Sequence, residues 1–211
     1  MPKEHKEGEW LKDIKNDLNN VQRQENITIS KNDLTKQIAR TASWKSPGPD
    51  GIHGFWYKNF SSLHGVICTQ LNQCLQNRKI PEWMTIGRTV LLMKDPLKGN
   101  EVGNYRPIAC LNILWKILSG IFAQKTYDHL ETMNLLPNEQ KGCRKGSRGT
   151  KDQLIIDKTV LKNCKKRLTN LSMAWIDFKK AYDMVPHSWI LDTLKMFGVA
   201  EIYFYYYNLG L

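Results

Sequence analysis

Asp177 and Asp183 bracket an aromatic ring, Tyr182, directly after the apolar run Ser172-Met173-Ala174-Trp175-Ile176. The run from Ser172 to Phe178 reads as a buried strand that ends in a carboxylate. An aspartate there is costly to bury alone, so Asp177 is expected to be paired, hydrogen-bonded or bound to a cation. A structural salt bridge is the commoner fate of such a group. Carboxylates in a cleft beside a basic surface are also what Mg²⁺-dependent phosphoryl transfer requires. The basic surface is close in sequence: from Lys141 to Arg167 ten lysines and arginines stand against Asp152 and Asp157. Its first part, residues 142–149, is a glycine-rich loop carrying Arg144, Lys145 and Arg148 just after Lys141. Glycines between cations let backbone amides approach phosphates, although the loop lacks the Gly-Lys-Ser/Thr ending of a nucleotide-binding P-loop. A charge run of this kind is otherwise a solvated face.

Helices and one hairpin must position these groups. Trp10, Leu11, Ile14, Leu18 and Val21 predict an amphipathic helix over residues 8–25. Ser30 and Asp33 have capping-box spacing, and Leu34 and Ile38 continue a helix that stops near Lys45, ahead of Pro47. Residues 46–51, Ser-Pro-Gly-Pro-Asp-Gly, form a rigid turn with no evident chemical role. Leu63, Val66, Ile67, Leu71, Cys74 and Leu75 mark a helix closed before Pro81. Arg88 to Lys94 and Tyr105 to Cys110 read as two strands of a hairpin with basic edges. Residues 112–130 carry an unusually wide apolar face and are the expected core helix. Leu154, Ile155, Val160, Leu161 and Cys164 predict a helix with a basic face, and Ser188 to Met196 another. No internal repeat and no interdomain linker is evident.

The 211 residues carry 31 Lys+Arg against 20 Asp+Glu, a net charge of +11. That excess favours an acidic partner, nucleic acid first and an anionic membrane surface second. Apolar runs are too short for a transmembrane helix. The polar start of the chain does not resemble a signal peptide, so an intracellular location, cytoplasmic or nuclear, is expected. Five cysteines without a Cys-x-x-Cys are expected to be free thiols. His53, His64, His129 and His187 have no shared metal spacing.

The segment Ala174-Trp175-Ile176-Asp177-Phe178-Lys179-Lys180-Ala181-Tyr182-Asp183 resembles the first palm motif of reverse transcriptases. Three earlier segments match in the same order: residues 45–51 (Lys-Ser-Pro-Gly-Pro-Asp-Gly), 104–108 (Asn-Tyr-Arg-Pro-Ile) and 140–146 (Gln-Lys-Gly-Cys-Arg-Lys-Gly). Together they are similar to the fingers and early palm of non-long-terminal-repeat retrotransposon polymerases over roughly residues 40–200. The resemblance implies an α/β fold, mainly helical, holding the fingers plus an incomplete palm of a right-hand polymerase. Residues 1–40 would be an N-terminal helical extension and 41–211 the fingers and partial palm.

The activity implied is RNA-directed DNA synthesis on an RNA template and DNA primer from deoxynucleoside triphosphates. Asp177 would be the catalytic carboxylate and hold Mg²⁺, with the Phe178 carbonyl as a second metal ligand beside the nucleotide. Tyr182 would be the ring beneath the incoming sugar, against core packing as the plainer alternative. Lys94 and Arg106 would grip the triphosphate, against the alternative of solvated cations. Lys141, Arg144, Lys145 and Arg148 would track template or primer phosphates. Asp183 is expected to make a structural hydrogen bond.

The sequence departs from the family in one decisive respect. Two-metal phosphoryl transfer needs several carboxylates, and no Asp-Asp dipeptide, hence no aromatic-x-Asp-Asp hairpin, occurs here. The expectation is a piece of the polymerase that is inactive alone, with the aromatic stretch 203–207 left as exposed apolar surface. The alternative is a non-catalytic basic remnant that still binds RNA or DNA.

Overall fold

A computed structural model describes residues 8–178 and 184–210. The elements in chain order are α1 (Trp10–Leu18), α2 (Lys31–Arg40), α3 (Gly54–Asn59), α4 (His64–Gln76), α5 (Glu82–Thr85), β1 (Gly87–Met93), β2 (Tyr105–Leu111), α6 (Ile113–Thr132), α7 (Thr150–Arg167), α8 (His187–Met196) and α9 (Ile202–Gly210). The sheet among the described residues is the antiparallel pair β1–β2.

The core forms around α6, whose apolar residues recur on nearly every side, as a helix packed on several faces requires. Ile113, Trp115, Ile117, Leu118, Ile121 and Phe122 are buried. Leu34 and Ile38 of α2, Leu71 and Leu75 of α4 and Met84 of α5 join the same cluster. The α2 N-terminus is the expected capping box: the Asp33 N–H donates to Ser30 Oγ (3.1 Å) and the Ser30 N–H to Asp33 Oδ2 (3.0 Å). Lys125 Nζ lies 3.1 Å from the same carboxylate and joins α2 to α6. Burial pushes the Asp33 carboxyl up, but the Ser30 hydrogen bonds and Lys125 outweigh it and hold the group below its ordinary value.

Helix α1 ends at Leu18, earlier than its apolar spacing predicts, and α2 ends at Arg40 rather than near Lys45. The segment after α1 serves other partners. The Gln24 N–H donates to the Gly198 carbonyl (2.7 Å), the Gln24 side-chain amide to the Lys125 carbonyl (3.1 Å), and the Ala200 N–H to Gln24 Oε1 (3.3 Å). Gly198 adopts φ +67°, and an added Cβ would stand 3.0 Å from the Gln22 carbonyl oxygen, so a glycine fits this crossing on both counts.

These bonds place Tyr203 and Tyr206 in the core and correct, for those two rings, the expectation that 203–207 is exposed apolar surface, while Tyr205 stays exposed. Tyr203 and Tyr206 are buried. Tyr203 meets Phe122 edge-on at 4.9 Å, and the Tyr206 hydroxyl donates to the Cys74 carbonyl (2.8 Å). Burial pushes the Tyr206 phenol up to about 12. The apolar run itself could not reveal this, because what decides its fate is the facing side of α6.

Buried histidines are structural. His64 Nε2 lies 2.7 Å from the Tyr57 carbonyl and His129 Nε2 2.8 Å from the Phe197 carbonyl. A carbonyl only accepts, so both rings carry the proton on Nε2. The described cysteines are free. No helix among the described residues is long and apolar enough to cross a membrane.

Candidate nucleic-acid interface

The β1–β2 hairpin projects from the core at α5 and α6. Every residue of β1 is exposed. Leu92 stands opposite Arg106 in the register, and the Lys94 N–H donates to the Asn104 carbonyl (2.7 Å), so the ladder runs one residue beyond β1. Alternation then puts Lys94 and Arg106 on one face. The connection between the strands is held by buried Asn104, which accepts from the Asp95 N–H (3.0 Å) and donates to the Asp95 (2.7 Å) and Gly99 (2.9 Å) carbonyls. The Lys94 ammonium donates to the Gly103 carbonyl (2.8 Å), which leaves two of its three donors. The exposed Arg106 guanidinium has no side-chain partner among the described residues.

The turn 46–51 is docked on the N-terminus of α6. Asn112, buried, accepts from the Asp50 N–H through Oδ1 (3.2 Å) and donates through Nδ2 to the Trp83 carbonyl (2.6 Å). A Cβ on Gly48 would collide with Asn112 itself, backbone included. The rigid turn read from the sequence is therefore a clasp that fixes the base of the hairpin.

The basic loop is latched to the far end of α6. Tyr127 and Glu131, one helical turn apart, share a hydrogen bond (2.8 Å). Arg144 Nε lies 3.2 Å from Glu131 Oε1, and Nη1 donates to the Pro137 (2.6 Å) and Leu136 (3.3 Å) carbonyls. The Lys145 N–H donates to Tyr127 Oη (3.2 Å), while its ammonium stands 4.3 Å from the Tyr127 ring centroid and 3.8 Å from Asp128 Oδ1. The Tyr127 hydroxyl, opposed by desolvation and reinforced by Arg144, holds the Glu131 carboxyl below its ordinary value. Arg144 is thus turned toward the protein, whereas the side chains of Lys141 and Arg148 have no partner among the described residues.

The loop then leads into α7. The Arg148 N–H and the Ser147 hydroxyl both donate to Asp152 Oδ2 (3.0 and 3.3 Å) and tie the loop to the first turn of the helix. Gly146 (φ +75°) and Gly149 (φ +62°) make the turns that precede it. No residue of α7 is buried. Its last turn carries Lys165, Lys166 and Arg167, which complement the helix dipole and extend the positive surface.

The expected buried strand Ser172–Phe178 is not one. The segment forms no ladder, and Trp175, Ile176 and Phe178 are exposed by 74%, 80% and 73%. A strand needs a hydrogen-bonding neighbour, and among the described residues none lies beside it. Trp175 Nε1 donates to Asp157 Oδ2 of α7 at 3.5 Å. Asp177 is correspondingly exposed. Tyr182 and Asp183, with 179–181, lie outside the described residues. Asp177 offers the hard oxygen a divalent cation takes, but no group of three His, Cys, Asp or Glu side chains able to hold a metal occurs among the described residues. These residues alone do not fit a metal pair.

Sequence reading missed Asn112, whose sole signal is an asparagine between a strand and a long helix. It also missed the latch, which the Tyr127/Glu131 helical spacing and the intervening Asp128 could have flagged. The short helices α3 and α5 were missed as well.

Hairpin, clasp and basic loop are all built on one core helix, α6. Residues 94–209 match the family model described as reverse transcriptase (RNA-dependent DNA polymerase), and the chain belongs to that family, in its non-long-terminal-repeat retrotransposon branch. It is 28% identical, over 82% of its length, to the Retrovirus-related Pol polyprotein of a type-2 retrotransposable element of Drosophila melanogaster. Over 75% of its length it is 29% identical to that of a type-1 element of Popillia japonica. Over 52% it is 29% identical to that of a type-1 element of Bradysia coprophila. The chain spans 15%, 21% and 11% of these relatives' lengths respectively.

Proposed function

We propose that this chain is the fingers and the start of the palm of an RNA-directed DNA polymerase, and that it grips an RNA template and DNA primer without polymerising by itself. Residues 1–40 are the helical extension and 41–211 the fingers and partial palm, with α2 contributing to the same core. The reading is carried by the family match over 94–209 together with the outward basic surface latched to α6. Lys141, Lys145 and Arg148 contact phosphates, and Arg144 holds the loop that presents them. Lys94 and Arg106, on one face of the hairpin, take the triphosphate of a deoxynucleotide, the arginine offering a bidentate fork.

Asp177 and the Phe178 carbonyl would offer hard oxygens to a divalent cation, Mg²⁺, which would stabilise charge on the transferred phosphate. Tyr182 is the ring against the sugar. The lack of an aromatic-x-Asp-Asp segment supports inactivity of the isolated chain. Purified chain, primed RNA template, deoxynucleotides and Mg²⁺ test this: no extension is expected, and extension abolished by Asp177→Asn overturns the inactivity while establishing the role of Asp177. The exposed setting of Asp177, without a side-chain partner among the described residues, favours a second reading, a non-catalytic nucleic-acid-binding remnant, which salt-sensitive binding indifferent to Asp177→Asn supports.

A further inference from the structure

The turn 46–51 and the helix behind it carry a surface feature that the polymerase reading leaves unused. Trp44 stacks on Phe55 (centroids 4.7 Å, 19°), Phe55 meets Trp56 edge-on (5.4 Å, 84°), and Trp56 stacks on Phe60 (5.6 Å, 22°). His53 tilts against the outer ring, Trp44, at 5.7 Å. These rings are not core: Trp44 is 67% exposed, Trp56 48% and Phe60 49%. Contiguous exposed aromatic surface of this kind marks an interaction site.

The backbone beneath the rings is fixed. The Phe55 N–H donates to the Ser43 carbonyl (2.9 Å), and Gly54 is so close to residues 41–42 that a Cβ would stand 2.9 Å from Thr41 Cγ2. The turn between the first two rings is clasped by Asn112. A platform held this way loses little freedom when something docks on it.

Charge decides what docks. From Leu34 to Pro81 six lysines and arginines stand against one acid, Asp50. That acid is turned inward: Oδ1 accepts from the Ile52 N–H (3.1 Å) and Oδ2 is buried. Lys45 is exposed beside Trp44 in sequence, Lys58 lies between Trp56 and Phe60, and the Arg88 guanidinium reaches Ser46 Oγ at 3.4 Å. Flat rings with cations beside them and no outward carboxylate suit bases carried on phosphates.

We propose that Trp44, Phe55, Trp56 and Phe60 form a stacking platform for unpaired bases of a single-stranded polynucleotide, whose phosphates face Lys45, Lys58 and Arg88. The proposal rests on the reading that the chain handles a polynucleotide and adds a second contact region, apart from the basic loop. Because every base has a π-face, the platform accepts any sequence.

Fluorescence anisotropy with the full chain tests it, using a labelled single-stranded RNA of about 20 nucleotides and a strand of equal length with an abasic tract. The intact strand is expected to bind about tenfold or more tighter, since stacking is worth roughly 5- to 160-fold per base. Trp44→Ala and Trp56→Ala should each weaken the intact strand by about tenfold while leaving its salt slope and the affinity of the abasic strand unchanged. Equal affinity for both strands in the unmodified chain, a comparison that needs no variant to fold, overturns the proposal.

So do tryptophan variants that bind RNA normally but lose self-association in sedimentation, which would make the rings a protein contact. A Lys141→Gln/Lys145→Gln/Arg148→Gln variant separates the two readings. If it alone flattens the salt dependence and the tryptophan variants are silent, only the platform falls. If it is silent while the abasic strand binds weakly, the loop assignment falls and the platform stands.

Discussion

Asn112 is the residue on which the base of the hairpin depends, and replacing it by alanine tests that directly. The amide is buried and joins three segments: it accepts from the Asp50 N–H (3.2 Å), donates to the Trp83 carbonyl (2.6 Å), and stands at the start of α6. Alanine leaves one backbone donor and one backbone acceptor without their partner. A buried orphan costs about 1–3 kcal/mol, and because both bonds are only part-buried, Asn112→Ala should destabilise by roughly 1–3 kcal/mol. A loss of about 3 kcal/mol corresponds to roughly 6–12 °C in melting temperature for a domain of this size. Urea unfolding followed by tryptophan fluorescence gives the first number, and amide exchange at Asp50 shows whether the turn itself is released. A loss below about 0.5 kcal/mol, with Asp50 exchange unchanged, refutes the clasp, because neither backbone group would then have depended on the side chain.

Three further outcomes follow from the same geometry. Gly48→Ala should cost at least about 1–3 kcal/mol and should not be rescued by Asn112→Ala, because the added Cβ also meets the Asn112 backbone; a rescued double variant in urea unfolding contradicts this. Ser30→Ala should cost about 1 kcal/mol through loss of the capping box. Asp33 and Glu131 both have lowered folded pKa values, so the stability they contribute is present above the ordinary carboxylate range and is lost as pH falls through their folded values. Ser30→Ala should therefore show its full effect at pH 7 and a smaller one in acid, and an effect that grows in acid contradicts the assignment. Glu131→Gln should speed tryptic cleavage after Arg144 and Lys145 at pH 7; an unchanged cleavage rate means the latch does not hold the loop.

What could be read from sequence was local. The Ser30/Asp33 spacing specified a cap, the crowded apolar face of 113–122 specified the core helix, and the β-branched run after Arg88 specified a hairpin. Each is a matter of residues close in the chain. The apolar content of Trp175 and Ile176 is that of a buried strand, yet a strand is defined by its neighbour, and none stands beside it among the described residues. Tyr203 and Tyr206 failed in the opposite sense, since Phe122 and Cys74 cover them from far away in sequence.

Among the candidate site residues, Lys94 and Arg106 fall on one hairpin face, as strand periodicity dictates. Arg144 could not be told from its neighbours, because its anchoring rests on Glu131 thirteen positions earlier. The turn 46–51 was legible as a turn but not as a clasp, for the Gly48 collision involves a residue far along the chain.

If the surface latched to α6 holds a nucleic-acid backbone, the salt dependence of binding to an RNA template annealed to a DNA primer reports it, compared between the unmodified chain and the Lys141→Gln/Lys145→Gln/Arg148→Gln variant. Binding should weaken linearly in log–log form, with a slope shallower by about two to three in the variant as up to three phosphate contacts are lost. Salt-insensitive binding, or an identical slope in both proteins, contradicts it.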